Sequence, residues 1–563
     1  MRNWRSKIIL FFIFLLAATI VCRLIYLQIL NRKFYQSQAL GQQAGFKEIK
    51  GERGEVFFEN SSKSHGNFSS DQVNSLAINE DRWLVYVVPK QIKDKDHFVD
   101  VLSKSIEDGK ESIISKLEKS DSYAVIKKDL SLDDINALKS LKLEGLNFEN
   151  IPGRYYPEVQ LASHVIGFLG GTNNGQYGVE GYYDDILKGK EGIKEEKRGF
   201  DSINSEDFSY LNGSDIYLTI DYNIQFQAEF LLKQASKDID IESGQIIVLK
   251  PDSGRILALA NFPPFDPNEY SKENNLDIFQ NSTIQKVFEP GSVFKPFTMA
   301  MALNEGKITP DTIFTDTGSV KIGPDTIYNF NREIYGKRDM SGILEKSINT
   351  GAVFLSKLIP HNTFLNYIDK LGFNDRTGID LQGEVYSKNE IFKTGSDFGF
   401  ATASFGQGIE MTPIQLAKAF SVFANGGRLV KPYIVEKIVQ GQNETKTKPQ
   451  ISEPVISSAT VLQVTTMLTN VVERGFGNGA KIQGYYLAGK TGTAEVPIKD
   501  KKGYYKDRTV QSFIGFGPSL KPEFLILVKL DNPKVPKSSL SAVPIFKKLA
   551  QYIINYWQIP PDY

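Results

Sequence analysis

Two sequence patterns typical of β-hairpins lie far apart in this chain, and together they limit its possible fold classes. The first joins the apolar run 244–250 (GQIIVLK) to 255–260 (RILALA) through a Pro-Asp-Ser-Gly turn, and the second joins 511–517 to 523–530. Helical patterns predominate between them, from 293 to 470. Distant hairpins that enclose helices imply an antiparallel sheet closed by separate segments of the chain, which is an α+β layout. The amphipathic run at the C-terminus is predicted to pack on that sheet as a helix.

The composition narrows the possible functions. The 66 basic and 66 acidic side chains cancel, so there is no electrostatic case for a nucleic-acid partner. A single cysteine, Cys22, excludes an intrachain disulfide and a multi-cysteine zinc site. Only one of the four histidines, His361, lies in the C-terminal half, which argues against a Ser-His-Asp hydrolase or a multi-histidine metal centre there. We expect no metal and no cofactor, and a nucleophile in that half must be activated by another base.

The N-terminus has the pattern of a membrane anchor. Residues 1–7 carry three basic side chains and no acid, and an apolar run of 15 residues follows over 8–22. A helix of that length reaches about 22 Å, short of the roughly 30 Å of a hydrocarbon core, but apolar residues resume after Arg23. We therefore predict a retained single-pass anchor over 8–30, with the N-terminus inside and the bulk of the chain outside the cytoplasmic membrane. A cleavable signal peptide is the alternative, but no A-x-A-like site follows the run.

The first candidate for chemistry is the segment 290–296, Pro-Gly-Ser-Val-Phe-Lys-Pro. Residues i and i+3 share a helix face, so the Ser292 hydroxyl and the Lys295 amine can meet. The apolar stretch that follows predicts a buried helix with Lys295 at its head. Keeping this lysine neutral at pH 7 costs on the order of 4 kcal/mol, which suggests a general base for a nucleophilic serine. Alternatively, Lys295 reaches solvent and the S-x-x-K pattern arises by chance.

The second candidate element is the pair Ser347 and Asn349, which stand two residues apart. A hydroxyl and an amide at this spacing can relay a proton and hold a substrate amide. The alternative is a capping serine followed by a loop asparagine.

The third candidate element is the run 489–495, Gly-Lys-Thr-Gly-Thr-Ala-Glu. It predicts a strand with Lys490 and Gly492 on one face and Thr491 and Thr493 on the other. A glycine inside a strand weakens packing but lets another backbone come close. A lysine beside two hydroxyls suits a carboxylate-bearing substrate that lies along a sheet edge, and an ordinary solvated edge strand is the alternative.

Together the three elements resemble the S-x-x-K, S-x-N and K-T-G set of the penicillin-binding proteins and serine β-lactamases. Ser347 follows Ser292 by 55 residues and Lys490 follows Ser347 by 143, separations that suit a transpeptidase domain. Other segments of that domain are similar, namely 213–225, 405–415, 424–427 and 512–518. Segments that resemble the non-catalytic pedestal of class B penicillin-binding proteins are 154–157 (RYYP), 163–167 (SHVIG) and 178–181 (GVEG). One departure is that Phe58 and Glu59 replace the usual Asp-Arg pair of the pedestal's opening motif.

This resemblance implies an α+β fold in three parts. An N-terminal transmembrane helix leads into an elongated α/β pedestal and then into a penicillin-binding transpeptidase domain. The last of these has an antiparallel five-stranded sheet flanked by helices, together with an all-helical subdomain. The implied boundaries are a cytoplasmic tail over 1–7, the anchor over 8–30, the pedestal (dimerisation) domain over 31–210 and the transpeptidase domain over 211–563.

The resemblance also implies a role for the residues of the first two elements. Ser292 attacks the D-Ala-D-Ala end of a peptidoglycan stem peptide, and Lys295 takes the proton of its hydroxyl. Ser347 passes the proton to the leaving D-Ala, and Asn349 holds the amide of the acyl donor.

The third element is implied to bind the substrate. Lys490 tunes the local field, and the hydroxyls of Thr491 and Thr493 receive the substrate carboxylate. Gly492 lies between them on the substrate-binding strand. The backbone N–H groups of Ser292 and Thr493 form an oxyanion hole.

The implied function is that of a monofunctional peptidoglycan D,D-transpeptidase, a serine-type enzyme of cell wall synthesis that β-lactams inhibit. The division type is favoured over the elongation type. One alternative is a D,D-carboxypeptidase or β-lactamase-like acyl hydrolase, and another is a non-enzymatic divisome scaffold or β-lactam sensor. The implied partners are the membrane, a glycosyltransferase of the shape, elongation, division and sporulation family, and divisome proteins.

Overall fold

The structure is a computed structural model. It describes a few helical residues between 14 and 21 and then 46–59, 74–106, 108–119, 123–195, 209–498 and 503–563. No helix in these parts of the chain is long and apolar enough to cross a membrane. The tail predicted over 1–7 and most of the anchor predicted over 8–30 lie outside the described residues.

The chain divides into two compact units. One comprises Met1–Gly54 and Lys188–Ser214, and the other comprises Glu55–Leu187 and Asp215–Tyr563. The first unit contains an antiparallel pair of strands, Phe46–Lys50 and Glu191–Glu195, and a short 3-10 helix, Ser209–Leu211. The second unit contains all the elements that position the candidate site.

A five-stranded sheet forms the centre of the second unit. Its strands in chain order are β1 (Ser243–Leu249), β2 (Ile256–Phe262), β3 (Ala488–Pro497), β4 (Tyr504–Gly517) and β5 (Phe524–Asp531). Across the sheet the order is β2-β1-β5-β4-β3, and every neighbouring pair is antiparallel. The two hairpins that the sequence predicts thus join through β1 and β5, where Ser243 lies opposite Asp531, 288 residues later. One edge of the sheet is β3, which carries the third candidate element.

Both faces of this sheet are covered, because alternate side chains of each strand enter different apolar layers. Ile246 and Val248 of β1 face one layer, whereas Ile247 and Leu249 face the other. Four helices pack around the sheet or carry residues of the candidate site: α1 (Tyr222–Asp238), α2 (Lys295–Asn304), α3 (Asn349–Leu358) and α4 (Ala542–Tyr556). Helices α1 and α4 contribute to the first layer, and the C-terminal helix thereby packs on the sheet as the sequence predicted.

The region between the hairpins is mainly helical, with small strand pairs that its helical pattern did not predict. Its other helices are Ser282–Gln285, Met340–Glu345, His361–Lys370, Asp397–Ala403, Pro413–Ala424 and Ser458–Arg474. The 3-10 helices in it and beyond are Pro267–Lys272, Leu276–Phe279, Gly291–Phe294, Phe330–Arg332, Glu390–Thr394, Asn478–Ala480 and Ser538–Leu540. The strand pairs are Phe314–Asp316 with Gly336–Arg338, Ser319–Ile322 with Asp325–Tyr328, and Arg428–Val430 with Ile451–Pro454.

A second sheet joins the region of the predicted pedestal to that of the predicted transpeptidase domain. Its strands in order are Asn443–Lys446, Val435–Gln440, Asp215–Leu218, Val56–Phe57, Ser75–Val87 and Ala124–Leu130, with Leu146–Tyr155 also paired to Ser75–Val87. Asp215–Leu218 is the link, because it pairs in parallel with Val56–Phe57 and antiparallel with Val435–Gln440.

Short elements complete the pedestal region. Its helices are Lys95–Ser105, Lys110–Glu118, Leu132–Ser140, Ser163–Ile166, Gly178–Tyr182 and Asp184–Leu187, with a 3-10 helix at Pro89–Gln91 and a strand pair Phe168–Leu169 with Gly175–Gln176. Lys95–Ser105 and Lys110–Glu118 are separate helices, and Gly109 is the N-cap residue of the second.

Phe58 and Glu59, which replace the usual Asp-Arg pair of the pedestal's opening motif, both contact residues of the predicted transpeptidase domain. Phe58 is fully buried, and its ring meets the edge of Tyr222 at 5.3 Å between centroids. The Glu59 carboxylate accepts a hydrogen bond from Arg255 at 2.6 Å. These contacts join the opening segment of the predicted pedestal to the first residue of α1, Tyr222, and to the residue just before β2, Arg255.

A buried ion pair stabilises the pedestal segments that resemble the family. The Arg154 Nε donates to Glu180 Oε1 at 2.7 Å, and the two side chains are 3% and 0% exposed. Removing one partner would leave the other charge buried without compensation, which typically costs about 3–5 kcal/mol.

We therefore expect Arg154→Met to lower the free energy of unfolding by about 3–5 kcal/mol, measured by urea unfolding of the full chain. Lys93→Met is the matched control, because its ion pair with Glu144 is exposed on both sides (82% and 61%). Its loss should cost less than about 1 kcal/mol. Equal effects of the two substitutions would contradict this account.

Candidate active site

Ser292 lies in a tight turn that a glycine contact holds in place. The turn is the 3-10 helix Gly291–Phe294, which leads directly into α2, and every residue of α2 except Asn304 is buried. The Gly291 N–H donates to Gly406 O at 3.0 Å. Gly406 has φ +84°, and a Cβ there would lie 2.1 Å from Gly291 O, so only glycine fits.

The edge strand β3 approaches this turn at Gly492. A Cβ on Gly492 would lie 2.4 Å from Ser512 Oγ and 3.1 Å from Pro290 O. The glycine inside this strand thus lets another backbone come close, and that backbone is the turn before Ser292. The first and third sequence elements therefore lie side by side.

Two buried lysines converge on Ser347. The Lys295 Nζ donates to Asn349 Oδ1 at 2.7 Å, to Ser347 Oγ at 3.2 Å and to Ser347 O. The Lys490 Nζ donates to Ser347 Oγ at 2.9 Å and to Thr491 O at 3.0 Å. Lys295 is 1% exposed and Lys490 is 0% exposed. All three sequence elements thus meet at one hydroxyl group.

Burial lowers the pKa of both amines, because their charged forms lose hydration without gaining an acidic partner. The pKa of Lys490 falls to about 7. The pKa of Lys295 falls well below its ordinary value, first through burial and then through the nearby charge of Lys490. A charge on Lys490 thus disfavours a second charge on Lys295, which favours a neutral Lys295 amine that can accept a proton.

Ser347 and Asn349 are held by the backbone around them. Ser347 has φ +55°, a left-handed conformation that is uncommon outside glycine, and its carbonyl accepts a hydrogen bond from Lys295. The Asn349 Nδ2 donates to Tyr328 O at 3.0 Å, while its Oδ1 accepts from Lys295. The second N–H of this amide has no partner among the described residues.

The two threonines of β3 have different partners. The Thr491 Oγ1 lies 3.3 Å from Lys490 Nζ. The Thr493 Oγ1 accepts from Ser538 N at 3.4 Å and donates to Ser538 Oγ at the same distance. Ser538 is 3% exposed, and sequence reasoning missed it because nothing in the sequence around it indicates a neighbour 45 residues earlier.

The expected meeting of the Ser292 hydroxyl and the Lys295 amine is not a hydrogen bond here. Within the part of the chain that the structure describes, the Ser292 hydroxyl has no hydrogen-bond partner. The amine is directed instead toward Ser347 and Asn349, whose oxygens give it three acceptors. Ser292 itself is half-buried.

Sequence reasoning also missed a buried carboxylate beside the turn. Glu289 is 8% exposed, and burial raises its pKa to about 7. The Tyr504 hydroxyl donates to its Oε1 and Oε2 at 3.3 and 3.2 Å, which ties the start of β4 to the segment before Ser292. No periodic pattern distinguishes this glutamate from a surface residue.

This geometry is typical of a serine acyltransferase site in which a lysine can act as the base. It combines a half-buried serine, a buried amine with a lowered pKa and a second hydroxyl shared by two amines. The adjacent edge strand offers unpaired backbone groups to an extended peptide.

Comparisons with known proteins agree with this class. Residues 244–551 match the family model of the penicillin binding protein transpeptidase domain, and residues 65–218 match that of the penicillin-binding protein dimerisation domain. Stage V sporulation protein D of Bacillus subtilis is 32% identical over 495 residues, covering 86% of this chain and 74% of that protein. Peptidoglycan D,D-transpeptidase FtsI of Buchnera aphidicola is 32% identical over 438 residues, covering 76% and 74%. The crystal structure of penicillin-binding protein 3 of Mycobacterium tuberculosis with aztreonam has a TM-score of 0.69 at 23% identity, covering 92% and 98%, which shows a shared fold.

The chain therefore belongs to the penicillin-binding proteins that carry a transpeptidase domain. The predictions of this family and of a serine-type peptidoglycan D,D-transpeptidase are confirmed, as is the α+β architecture of a dimerisation and a transpeptidase domain.

The coupling of the two amines predicts a change in pH dependence. A protonated Lys490 disfavours the protonation of Lys295, so Lys490→Met should raise the pKa of Lys295. The proposed base works only when it is neutral. As the pH is lowered, the rate of acylation by penicillin should therefore begin to fall at a higher pH in Lys490→Met than in the unaltered protein. The measurement is the second-order rate constant of acylation between pH 5 and pH 9. The midpoint of this pH profile is compared between the two proteins, separately from the maximal rate.

Lys346→Met is the control for this experiment. Lys346 is adjacent to Ser347, but it is half-exposed and stacks over the ring of Phe476 at 5.6 Å. Its charge is screened by solvent, so the midpoint should not move. A midpoint that stays in place in Lys490→Met, or that moves to lower pH, would contradict the coupling.

Proposed function

We propose that this protein crosslinks peptidoglycan stem peptides through an acyl-enzyme on Ser292. The observation that carries the proposal is the convergence of two buried lysine amines on the Ser347 hydroxyl, beside a turn that presents Ser292 next to an edge strand. The relatives named as peptidoglycan D,D-transpeptidases support the same substrate.

Acylation begins at the carbonyl of the penultimate D-Ala. The Ser292 Oγ attacks this carbon while Lys295 takes the hydroxyl proton, and the C–N bond to the terminal D-Ala then breaks. Ser347 donates its proton to the leaving nitrogen and is reprotonated from the lysine pair, with which it is hydrogen-bonded. The amine of a second stem peptide then attacks the ester carbon, which forms the crosslink and restores the Ser292 hydroxyl.

Substrate binding uses β3 and the start of α3. The Thr491 and Thr493 hydroxyls receive the terminal carboxylate, and Gly492 between them lets this strand lie close against the turn that carries Ser292. Asn349 donates its remaining amide N–H to the donor peptide. The N–H groups of Ser292 and Thr493 stabilise the oxyanion, at about 3 kcal/mol per donor.

The nucleophile is tested by reaction with a fluorescent penicillin followed by peptide mapping of the adduct. We expect one stable adduct on Ser292, lost in Ser292→Ala. Ser404→Ala is the matched control, because Ser404 is fully buried and its hydroxyl donates to Ala401 O, at 2.6 Å, within its own helical turn. It should acylate like the unaltered protein.

Three results of this experiment would count against the proposal. An adduct that survives in Ser292→Ala would place the nucleophile elsewhere, and the absence of any stable adduct would favour a scaffold. Rapid release of hydrolysed drug would favour the β-lactamase-like alternative.

The domain boundaries and the membrane anchor extend the proposal. The matches of the dimerisation model to 65–218 and of the transpeptidase model to 244–551 support the order of the two domains, for which the proposed bounds are 31–210 for the pedestal and 211–563 for the transpeptidase domain. Residues 8–30 anchor the chain, with the tail 1–7 inside and the catalytic domain outside. β-Lactams, a glycosyltransferase of the shape, elongation, division and sporulation family, and division proteins are the partners that this class implies.

The single cysteine of the chain makes this topology testable. In a Cys22→Ser background, Lys521→Cys places a thiol on a side chain that is 90% exposed in the catalytic region. A membrane-impermeant maleimide should label it in intact spheroplasts, whereas Asn3→Cys should be labelled only after permeabilisation. The reverse pattern, or labelling of both in intact spheroplasts, would exclude the proposed orientation.

A further inference from the structure

The helix that presents Asn349 has no cap of its own. Helix α3 begins at Asn349, and the residue before it is Ile348, whose side chain has no oxygen to accept from the first N–H groups. The first turn of a helix leaves such donors without intrahelical partners, and a buried one is costly if nothing accepts from it. Thr350, in this first turn, is 3% exposed, so solvent has little access to its N–H.

Asn329 supplies the missing cap from a separate segment. Its Oδ1 accepts from Asn349 N at 3.0 Å and from Thr350 N at 3.1 Å. It also lies 3.3 Å from the Thr350 hydroxyl. Asn329 is 4% exposed, so these bonds are protected from water. An asparagine 20 residues earlier in the chain thus does what a residue at the helix start usually does.

Asp316 fixes which way the Asn329 amide faces. Its Oδ2 accepts from Asn329 Nδ2 and from Tyr335 N, both at 2.8 Å. Its Oδ1 accepts from the Thr350 hydroxyl at 2.6 Å and from Gly318 N at 2.9 Å. Burial acts to raise the pKa of Asp316, but these hydrogen bonds outweigh it and the pKa is lowered from its ordinary value. The group is thus a carboxylate, which accepts hydrogen bonds and cannot donate one.

The same segment also holds the side chain of Asn349. Tyr328, the residue before Asn329, accepts from the Asn349 Nδ2 with its carbonyl at 3.0 Å. Neighbouring residues therefore fix both the backbone N–H and the side-chain amide of Asn349. Through its Oδ1, that amide in turn contacts the Lys295 amine at 2.7 Å.

We propose that Asn329 and Asp316 are positioning residues for acylation, because they form a capping pair that sets the backbone at the start of α3. The pair acts through Asn349 on the donor amide and on the Lys295 amine, so this inference rests on the proposed function of those groups. Neither residue belongs to the three sequence elements, and neither is assigned a contact with the substrate.

The test measures acylation of the full chain by a fluorescent penicillin in stopped flow. Its dependence on drug concentration separates the non-covalent dissociation constant from the acylation rate constant. In Asn329→Ala we expect the rate constant to fall about 10- to 100-fold, because a displaced site group costs on this order. The dissociation constant should change less, within about 3-fold, because Thr491 and Thr493 still receive the drug carboxylate.

Reversal of the pair separates positioning from a merely structural effect. Asn329→Asp keeps an acceptor for the helix but places a carboxylate against Asp316, so acylation should fall. Adding Asp316→Asn restores one donor and one acceptor between the two positions, and we expect the rate constant to recover at least 3-fold relative to Asn329→Asp alone. Thr350→Val, which removes one donor to Asp316 and keeps the side-chain shape, is a milder probe and should lower the rate constant several-fold.

Glu384→Gln is the matched control for Asp316→Asn. Glu384 is a carboxylate that is 7% exposed and accepts from Thr377 N at 2.6 Å and from Gly378 N at 3.0 Å, and none of these residues contacts the site. Both substitutions exchange a buried carboxylate for an amide. At comparable loss of thermal stability, only Asp316→Asn should lower the acylation rate constant.

The outcomes distinguish this inference from the proposed function. If the unaltered protein forms no adduct on Ser292, the proposed function fails first. If that adduct forms but Asn329→Ala acylates within about 2-fold of the unaltered rate, the positioning role is wrong. An equal loss in Glu384→Gln, or no recovery on reversal of the pair, also overturns it. If Asn329→Ala does not fold, the acylation rate constants of Thr350→Val and of the reversed pair (Asn329→Asp with Asp316→Asn) test the positioning role instead. A rate constant within about 2-fold of the unaltered one in Thr350→Val, or no recovery in the reversed pair, would overturn it.

Discussion

The burial of two lysine amines against one serine hydroxyl is the interaction on which the rest of the site depends. An amine out of water is tolerated when it is neutral or when an acid compensates its charge. Here no acid contributes to the pKa of Lys295 or Lys490, and both pKa values fall. Desolvation, and the charge of Lys490 on Lys295, thus lower the pKa of the amine that we propose as the base. In the proposed mechanism this amine is the proton acceptor that histidine supplies in other serine enzymes, and the C-terminal half of this chain has only one histidine.

Such a site needs a frame that brings distant segments together and still leaves an edge open. The central sheet does both, because β1 and β5 join across 288 residues and β3 remains at the edge. An edge strand carries unpaired N–H and C=O groups, which can pair with an extended peptide as a further strand would. Gly492 and Gly406 allow the Ser292 turn to lie close against this edge, since a Cβ at either position would clash with a neighbouring residue. The openness of the edge and the tight packing beside it are therefore parts of one arrangement.

Much of this was predictable from the sequence, and the part that was not has a common physical cause. Hairpins, the C-terminal helix and the buried head of α2 follow from apolar periodicity, which burial imposes directly on the sequence. The meeting of Ser347 with both lysines was implied only by the resemblance, because spacing along the chain does not determine distance in space. Asn329, Asp316 and Ser538 carry polar side chains in irregular segments, where no periodic pattern distinguishes a buried residue from an exposed one. Lys295 forms no hydrogen bond with the Ser292 hydroxyl because its amine contacts acceptors more than 50 residues away. The spacing of Ser292 and Lys295 alone could not predict those acceptors.

The groups around Lys295 are neutral, and this explains why the carboxylate of Asp316 acts on the site through Asn329 and not directly. A carboxylate in direct contact with this amine would stabilise its charged form and raise its pKa, which would remove the base. The amine accordingly contacts a hydroxyl, a carbonyl and an amide oxygen, and Asp316 does not contribute to its pKa. A carboxylate is nevertheless the strongest acceptor available to orient an amide. Placing Asp316 behind Asn329, and Asn329 behind Asn349, gives the site the rigidity of a charged hydrogen-bond network while keeping the charge itself two side chains away from the base.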